Sequence, residues 1–335
     1  MPRRILVPAS LERVAASQDG LVSTRQCQEH GMTSSQVKAQ VRQGRWQRVM
    51  RGVLDTTWVA AGHHDRHDPL DSARRREAIC GLLAYPGSVA TGVAALVLLG
   101  AQGAPRRIAP EVTFPDGSPR TGGGRVRVRR ERLRRWVVVG GLPCVPGELA
   151  LAQAVPDLDR RHAVALMDSA RQRRVVTEDE FRRARESARG RRGAARTRTW
   201  WEVSDPRAES PIETAARLAC ADAGCPPDAL QLVVRDARGR FLARVDLAWI
   251  LPAGRVLLVE LDGRDVHTVP GALFGDRRRQ NELAARGALV LRFTGRDVAQ
   301  ATVENEIRKV LDSEGWTSQP WPAGRSYSLS PTSST

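Results

Sequence analysis

The run Phe241–Gly263, FLARVDLAWILPAGRVLLVELDG, constrains the fold of this chain more than any other stretch. Two apolar, β-rich runs flank Pro252-Ala253-Gly254, a three-residue connection with turn chemistry, which predicts an antiparallel hairpin. A loop closed by Leu251 and Arg255 fixes the register. Asp246 then stands directly opposite Glu260, and directly opposed side chains share a face. Asp262, two residues on, joins that face, and Val245, Leu247, Trp249, Leu257, Val259 and Leu261 form a core on the other. Two carboxylates opposed across a ladder repel, so a shared proton, a cation or a divalent metal has to offset them. Carboxylate oxygens suit Mg²⁺ or Mn²⁺, which makes Asp246, Glu260 and Asp262 candidate metal ligands. A solvated pair at a frayed hairpin end satisfies the same spacing, with Asp262 drawn to Arg244 opposite it.

Six short pieces surround and include this hairpin in a fixed order. They are Ser210–Glu213 (SPIE), Ala243–Trp249 (ARVDLAW), Val259–Gly263 (VELDG), His267, Asp276–Asn281 (DRRRQN) and Leu291–Thr294 (LRFT). No single piece is specific, but together they resemble the DUF559 family, a branch of the PD-(D/E)xK nuclease superfamily related to very-short-patch repair endonucleases. The resemblance covers Ser210 to about Leu311, within a domain drawn at 207–313. It implies a restriction-endonuclease-like mixed sheet flanked by helices, in the order α-β-β-α-β-α, and Mg²⁺- or Mn²⁺-dependent hydrolysis of DNA. It also implies catalytic roles for Glu213, Asp246, Glu260, Asp262, His267, Asp276 and Arg277, with Asn281 also facing the substrate channel. One departure stands out: the superfamily's motif ends in lysine, and here that position is Asp262.

The residues themselves give plainer accounts of some of these positions. Ser210 as N-cap, Pro211 at the first helical position and Glu213 at the third start a helix to about Ala223, and a capping box alone explains an acid there. His267 falls in a loop, where a histidine is polar surface or a proton donor. Asp276–Arg286 predicts a helix ended by Gly287, Ala288–Phe293 a strand, and Thr294–Leu311 a closing helix.

Charge adds a partner class. The chain has 335 residues and a formal net charge of +16, and all of its 53 basic residues except Lys38 and Lys309 are arginine. Arginine forks match phosphates, so an anionic polymer, duplex DNA above all, is the expected partner. A GC-rich genome explains arginine for lysine but not the net charge. The five cysteines include no C-x-x-C pair, which argues against a disulfide framework or zinc ribbon. No signal-peptide core opens the chain, and the apolar run Val89–Leu99 is too short to span a bilayer, so the expectation is a cytoplasmic protein with no membrane partner.

Residues 10–58 read as a winged helix-turn-helix. Leu11–Ser17 predicts a first helix, and Ser23 with Gln26 and Thr33 with Gln36 form capping boxes that open helices at about 24–30 and 34–43. On the second, Val37 and Val41 face inward, while Ser35, Gln36, Lys38, Gln40 and Arg42 face out, the donor-rich surface a groove-reading helix needs. The following GRWQRVMRGVL resembles the wing of AbiEi-family antitoxin DNA-binding domains. The resemblance implies Trp46 as anchor and Arg48 and Arg51 as phosphate contacts, and a toxin partner or self-association. A helical hairpin docking on another domain would use the same caps.

Residues 70–190 form a middle α+β region, again resembling the segment after the winged helix in AbiEi-like proteins. Helices are expected at about 71–84 and 89–99, strands at 111–114, 125–130 and 136–139, and helices at 147–154, 159–172 and 178–189. Arg125, Arg127, Arg129, Arg130, Arg132, Arg134 and Arg135 make a basic strip, either a phosphate-tracking face or a solvated edge. His63, His64 and His67 with Asp65 and Asp68 lie in a polar loop without periodicity. Residues 191–206 read as a basic linker, with Trp200 and Trp201 docking it onto the nuclease-like domain, and 314–335 as a disordered tail. The whole is an α/β chain with a multi-domain α+β organisation. Two functions compete: a DNA endonuclease targeted by its own winged helix, and a non-catalytic AbiEi-type regulator with a degenerate nuclease fold.

Overall fold

The structure is a computed structural model, and the residues it describes are 6–56, 69–120, 124–262, 281–318 and 326–329. It divides into two compact units, Met1–Val203 and Ser204–Thr335. The secondary structure is mixed α/β, with three sheets among the described residues.

The first unit opens with α1 (Ala9–Ser17), β1 (Leu21–Ser23), α2 (Thr24–Glu29) and α3 (Ser34–Arg42), followed by the hairpin β2 (Gln47–Met50) and β3 (Val53–Asp55). Both expected capping boxes form. Ser23 Oγ accepts the Gln26 N–H at 3.0 Å while Gln26 accepts the Ser23 N–H at 2.9 Å. Thr33 and Gln36 repeat the exchange at 3.2 and 2.8 Å. These reciprocal bonds satisfy donors that a helix start would otherwise leave open, which is why two short helices hold against each other. The three strands pair in the order β1-β3-β2. Leu11, Val22, Met32, Val37, Trp46 and Leu54 pack beneath them, with Trp46 only 2% exposed as the anchor of the hairpin.

The remainder of this unit comprises α4 (Pro69–Ala84), β4 (Val89–Ala90), α5 (Gly92–Leu98), β5 (Glu111–Thr113), β6 (Arg127–Arg129), β7 (Val137–Val139), β8 (Leu142–Cys144), α6 (Gly147–Ala154), α7 (Arg160–Gln172) and α8 (Glu178–Ala188). Its sheet runs β6-β5-β4-β8-β7. Two features differ from expectation. The run 89–99 begins as a strand, because Ala90 pairs with Val112 and Cys144 from distant parts of the chain before the helix starts. Strand β8 is the other, an element whose centre is Pro143 and whose sequence therefore gives no strand signal.

Of the seven arginines of the basic strip, which reads from sequence as either a phosphate-tracking face or a solvated edge, four are matched by acids. Arg127 and Arg129 each pair with both Glu111 and Asp157, Arg125 with Glu77, and Arg135 with Glu148. Arg130, Arg132 and Arg134 remain exposed. The expected linker is also corrected over residues 191–203. Arg191 pairs with Glu131 at 2.8 Å, and Trp201 is buried with its ring 5.3 Å from that of Phe181 on α8. Gly193 holds a φ of +88°, and a Cβ there would come within 2.5 Å of the Pro156 carbonyl oxygen, so only glycine permits this approach. Trp201 therefore docks within the first unit rather than on the second.

The second unit begins with α9 (Pro211–Asp222), β9 (Ala229–Asp236), β10 (Phe241–Ile250), β11 (Val256–Asp262) and β12 (Ala288–Thr294). Helices Gly295–Ala299 and Val303–Ser313 and β13 (Ser326–Leu329) complete it. The sheet order is β12-β11-β10-β9-β13; β9, β10 and β11 are antiparallel, and the edge strands β12 and β13 run parallel to their neighbours. The hairpin register is the expected one. Leu251 donates its N–H to the Arg255 carbonyl at 2.9 Å, and Trp249 faces Leu257 and Leu247 faces Val259.

Both faces of this sheet are covered, not one. Leu247, Trp249, Leu257, Val259 and Leu261 pack with Ala216 and Cys220 of α9 and Ile307 and Leu311 of the last helix. Val245 belongs instead to the opposite cluster with Ala248, Val256, Leu258 and Leu283, so the alternation of β10 breaks between Val245 and Leu247. The break coincides with Asp246. Part of the expected tail is also ordered: Leu329 on β13 is buried, and the Trp316 indole donates to Asp228 at 3.1 Å. The single expected closing helix is two helices separated at Ala301, which has a φ of +56°.

Candidate functional site

The acids of the second unit sit where β10 and β11 part. In the ladder, Leu251–Arg255, Trp249–Leu257 and Leu247–Val259 alternate as hydrogen-bonded pairs, so the next N–H, that of Leu261, would be donated to the Val245 carbonyl. It is donated instead to Asp246 Oδ2 at 2.7 Å. The carboxylate replaces a backbone acceptor and ends the ladder between Asp246 and Glu260, the two residues that the register opposes.

Asp246 Oδ1 accepts from Gln231 Nε2 at 3.0 Å, and the same nitrogen donates to Glu213 Oε2 at 2.9 Å. One neutral carboxamide thus bridges two carboxylates, one from β10 and one from α9. Gln231 does this from a left-handed backbone conformation, φ +52°, in the middle of β9. A non-glycine residue there costs about 1–3 kcal/mol and persists only where its surroundings fix it.

Glu213 is buried, at 7% exposure. Its first-turn position follows from Ser210 as N-cap, whose Oγ accepts the Glu213 N–H at 3.3 Å. The carboxylate turns back to accept the Ser210 hydroxyl at 2.7 Å and the Glu209 N–H at 2.8 Å. Capping and site roles therefore coexist in one side chain. Burial, followed by the nearby Glu213, pushes the Asp246 carboxyl up to about 6, against the opposing pull of the Leu261 N–H, Gln231 and Arg244.

The other expected acids are placed differently. Glu260 meets Arg292 of β12, with Oε2 and Nε 2.8 Å apart, and its chain neighbours Val259 and Leu261 both belong to the core under α9. Asp262 is exposed and lies beside Thr294 in the parallel ladder. Arg244 does not turn to Asp262; it forms a two-pronged pair with Glu209 at 2.8 and 2.7 Å. His267, Asp276 and Arg277 lie outside the described residues, as do His63, His64 and His67. Among the described residues, no three His, Cys, Asp or Glu side chains converge as a metal cage. The oxygen donors of Glu213 and Asp246 nonetheless suit a hard divalent cation, because the two neighbouring carboxylates share a single neutral donor, Gln231 Nε2.

Sequence reasoning missed Gln231 and Glu209. Gln231 carried a weak signal, a polar residue breaking the apolar run ALQLVV, but nothing local ties it to an acid 15 positions away.

In the first unit, Ser35, Lys38 and Arg42 of α3 are exposed or half-exposed, as are Arg48 of β2 and Arg51 at the hairpin turn. Two of the expected outward residues differ. Gln36 spends its side-chain oxygen on the Thr33 N–H. Gln40 is only 1% exposed, which removes it from any solvent-facing row. Its carbonyl accepts from the Arg45 and Trp46 N–H groups at 3.1 and 3.3 Å, so this position anchors the turn into β2.

No family model matches the chain. Two curated relatives do: Uncharacterized protein Rv2248 of Mycobacterium tuberculosis strain H37Rv and Uncharacterized protein MT2308 of strain CDC 1551. Each is 32% identical over 167 residues, covering 50% of this chain. The matched segment spans 59% of the length of these relatives.

Proposed function

We propose that this chain is a DNA-binding protein whose second unit hydrolyses phosphodiester bonds with the help of a divalent metal. The observation that carries the reading is the meeting of Glu213 and Asp246 on one carboxamide at the point where the central hairpin splits. That arrangement concentrates negative charge, buried on Glu213 and half-buried on Asp246, at a sheet opening, as metal-assisted phosphoryl chemistry requires. Its likeness to the restriction-endonuclease-like fold rests on the mixed five-stranded sheet with a central antiparallel hairpin and a parallel crossover to β12.

Asp246 and Glu213 would hold the metal, with Glu260 as the third acid of the resembled motif. When bound, the metal supplies an activated water and charge stabilisation at the phosphate. The protein's own part is preparatory. The Leu261 N–H and Gln231 fix the Asp246 carboxylate, the α9 cap fixes Glu213, and Arg244 is kept off the acids by Glu209. In the first unit, α3 and the β2–β3 hairpin form a winged-helix-like surface in which Ser35, Lys38, Arg42, Arg48 and Arg51 meet the duplex.

A second reading, a non-catalytic DNA-binding regulator of the antitoxin type, is favoured by one observation. Glu260 is already matched by Arg292, and Gln231 already bridges the other two acids, so protein groups meet the charge without a cation. Plasmid nicking by purified protein with Mg²⁺ or Mn²⁺ decides between them. Activity that disappears in Asp246→Ala supports hydrolysis; intact DNA binding with no nicking in either metal leaves the regulator.

A further inference from the structure

Where the opening helices of the first unit meet its five-stranded sheet there is a cavity of about 370 Å³. Gln18, just after α1, and Gln26 of α2 line it together with Leu83 of α4, Ser88, Val89 of β4 and Trp136 just before β7. Further leucine, proline and glycine residues complete the wall. Small-molecule sites have volumes of about 300–1,000 Å³ and mostly apolar walls with a few placed polar groups. None of the residues lining this cavity is charged, although the chain carries 53 basic and 37 acidic residues. A charged ligand would find no counter-ion there, and burying an unpaired charge is costly.

The polar groups of the wall are few and specific. Ser88 is 3% exposed, and its buried Oγ has no hydrogen-bond partner among the described residues. Buried hydroxyls are nearly always paired, so an open one at a cavity wall points to a ligand atom that completes it. The two carboxamides are held in fixed orientations. Gln26 Oε1 accepts the Ser23 N–H at 2.9 Å, which fixes the amide's orientation, and Gln26 Nε2 donates to Gln18 Oε1 at 3.1 Å. Gln18 Nε2 in turn donates to the Leu21 carbonyl at 3.3 Å. A carboxamide nitrogen carries two hydrogens, and Gln26 Nε2 uses one of them among the described residues. Trp136, 47% exposed, adds a planar apolar face.

We infer that this cavity binds a small uncharged planar heterocycle with an amide-like edge, the chemistry that free nucleobases and lactams share. The ring would stack on Trp136 and pack against Leu83 and Val89, while its edge exchanges hydrogen bonds with the Ser88 hydroxyl and the second Gln26 N–H. An aliphatic ligand would fill the same apolar walls but leave both polar groups unmet. A phosphate or carboxylate would be stripped of water without gaining a cation. Gln26 also closes the capping box of α2, so the ligand would sit against the side chain that fixes the start of that helix. Binding here needs neither DNA nor metal, so its measurement stands apart from the hydrolytic and DNA-binding readings.

The test is equilibrium dialysis of the full-length protein against neutral probes (hypoxanthine, adenine and 2-quinolone) and charged counterparts (inosine 5′-monophosphate and quinoline-2-carboxylate). At least one neutral probe should bind more tightly than about 1 mM, and its charged counterparts about tenfold more weakly or worse. Ser88→Ala removes the open hydroxyl and should weaken binding about fivefold, while the free protein melts no lower than wild type because an unpaired buried group has gone. Trp136→Ala, at an exposed position, should weaken binding about tenfold and decides the matter even if Ser88→Ala folds poorly. Absence of binding by all the neutral probes overturns the inference, as does equal or tighter binding of the charged ones. Binding that neither variant weakens would place the probe elsewhere and overturns it too. Loss in Trp136→Ala with none in a folded Ser88→Ala would overturn the hydrogen-bonding edge and reassign the cavity to an apolar ligand.

Discussion

Replacing Asp246 by asparagine should remove a pH-dependent destabilisation. In the folded chain its carboxyl is pushed up from 3.8 to about 6, chiefly by burial and then by Glu213. The folded state therefore binds a proton that the unfolded state has already released. Stability from this group is fully present below about pH 4 and is lost as pH rises toward 6, with little further change above. Raising the carboxyl from 3.8 to about 6 corresponds to roughly 3 kcal/mol. Asp246 is only half-buried and water screens part of the effect, so a loss of about 2 kcal/mol is expected. An asparagine side chain would titrate nowhere and keeps an oxygen for the Leu261 N–H, at the cost of mismatching the Gln231 amide by about 1 kcal/mol. That cost is independent of pH. Urea denaturation of both full-length proteins in EDTA, at several values between pH 4 and 8, isolates the term. Wild type should lead near pH 4 and lose about 2 kcal/mol relative to Asp246→Asn by pH 7. A constant difference across the range, or a wild type that gains on the variant as pH rises, would refute the reasoning.

Three further outcomes follow from the same geometry. If Glu213 and Asp246 hold a divalent metal, Mg²⁺ or Mn²⁺ at a hundred times its dissociation constant should stabilise the protein by about 2.7 kcal/mol, read as a rise in Tm, with no rise in Asp246→Ala. Duplex binding should weaken with salt at a slope near −0.9 per phosphate neutralised, and Arg42→Ala or Arg48→Ala should each flatten that slope by about one; an unchanged slope in both would remove α3 and the β2–β3 hairpin from the interface. Gln36→Ala should cost about 0.5 kcal/mol through the lost bond to the Thr33 N–H, the Thr33 cap itself remaining, and Gln40→Ala should lower stability while leaving DNA affinity intact, since Gln40 is buried.

Short-range chemistry was legible in the sequence. The capping boxes at Ser23 and Thr33, the Pro252–Gly254 turn and the pairing of Leu247 with Val259 depend on residues within a few positions of one another or on a register propagated from one turn. Once the turn is fixed, alternation carries the pattern along both strands. What sequence periodicity could not carry is the break at Asp246, because its cause lies in other elements. Gln231 reaches it from β9, Leu261 offers a backbone N–H left over where the ladder stops, and Glu213 arrives from α9. The same holds for Glu260, which reads as half of a repelling pair until β12 brings Arg292 beside it. Gln40 and Trp201 escape sequence reasoning for the same reason: a polar residue on an outward row and an aromatic in a basic stretch give no local sign of the surfaces that bury them. Hydrophobic alternation fixes most of the elements, since burying apolar area rewards every copy of the pattern alike, but not β8, which forms around Pro143 through pairing with distant strands. Buried polar groups have a narrower requirement, a specific partner at hydrogen-bond distance, and only the tertiary structure decides which distant residue supplies it.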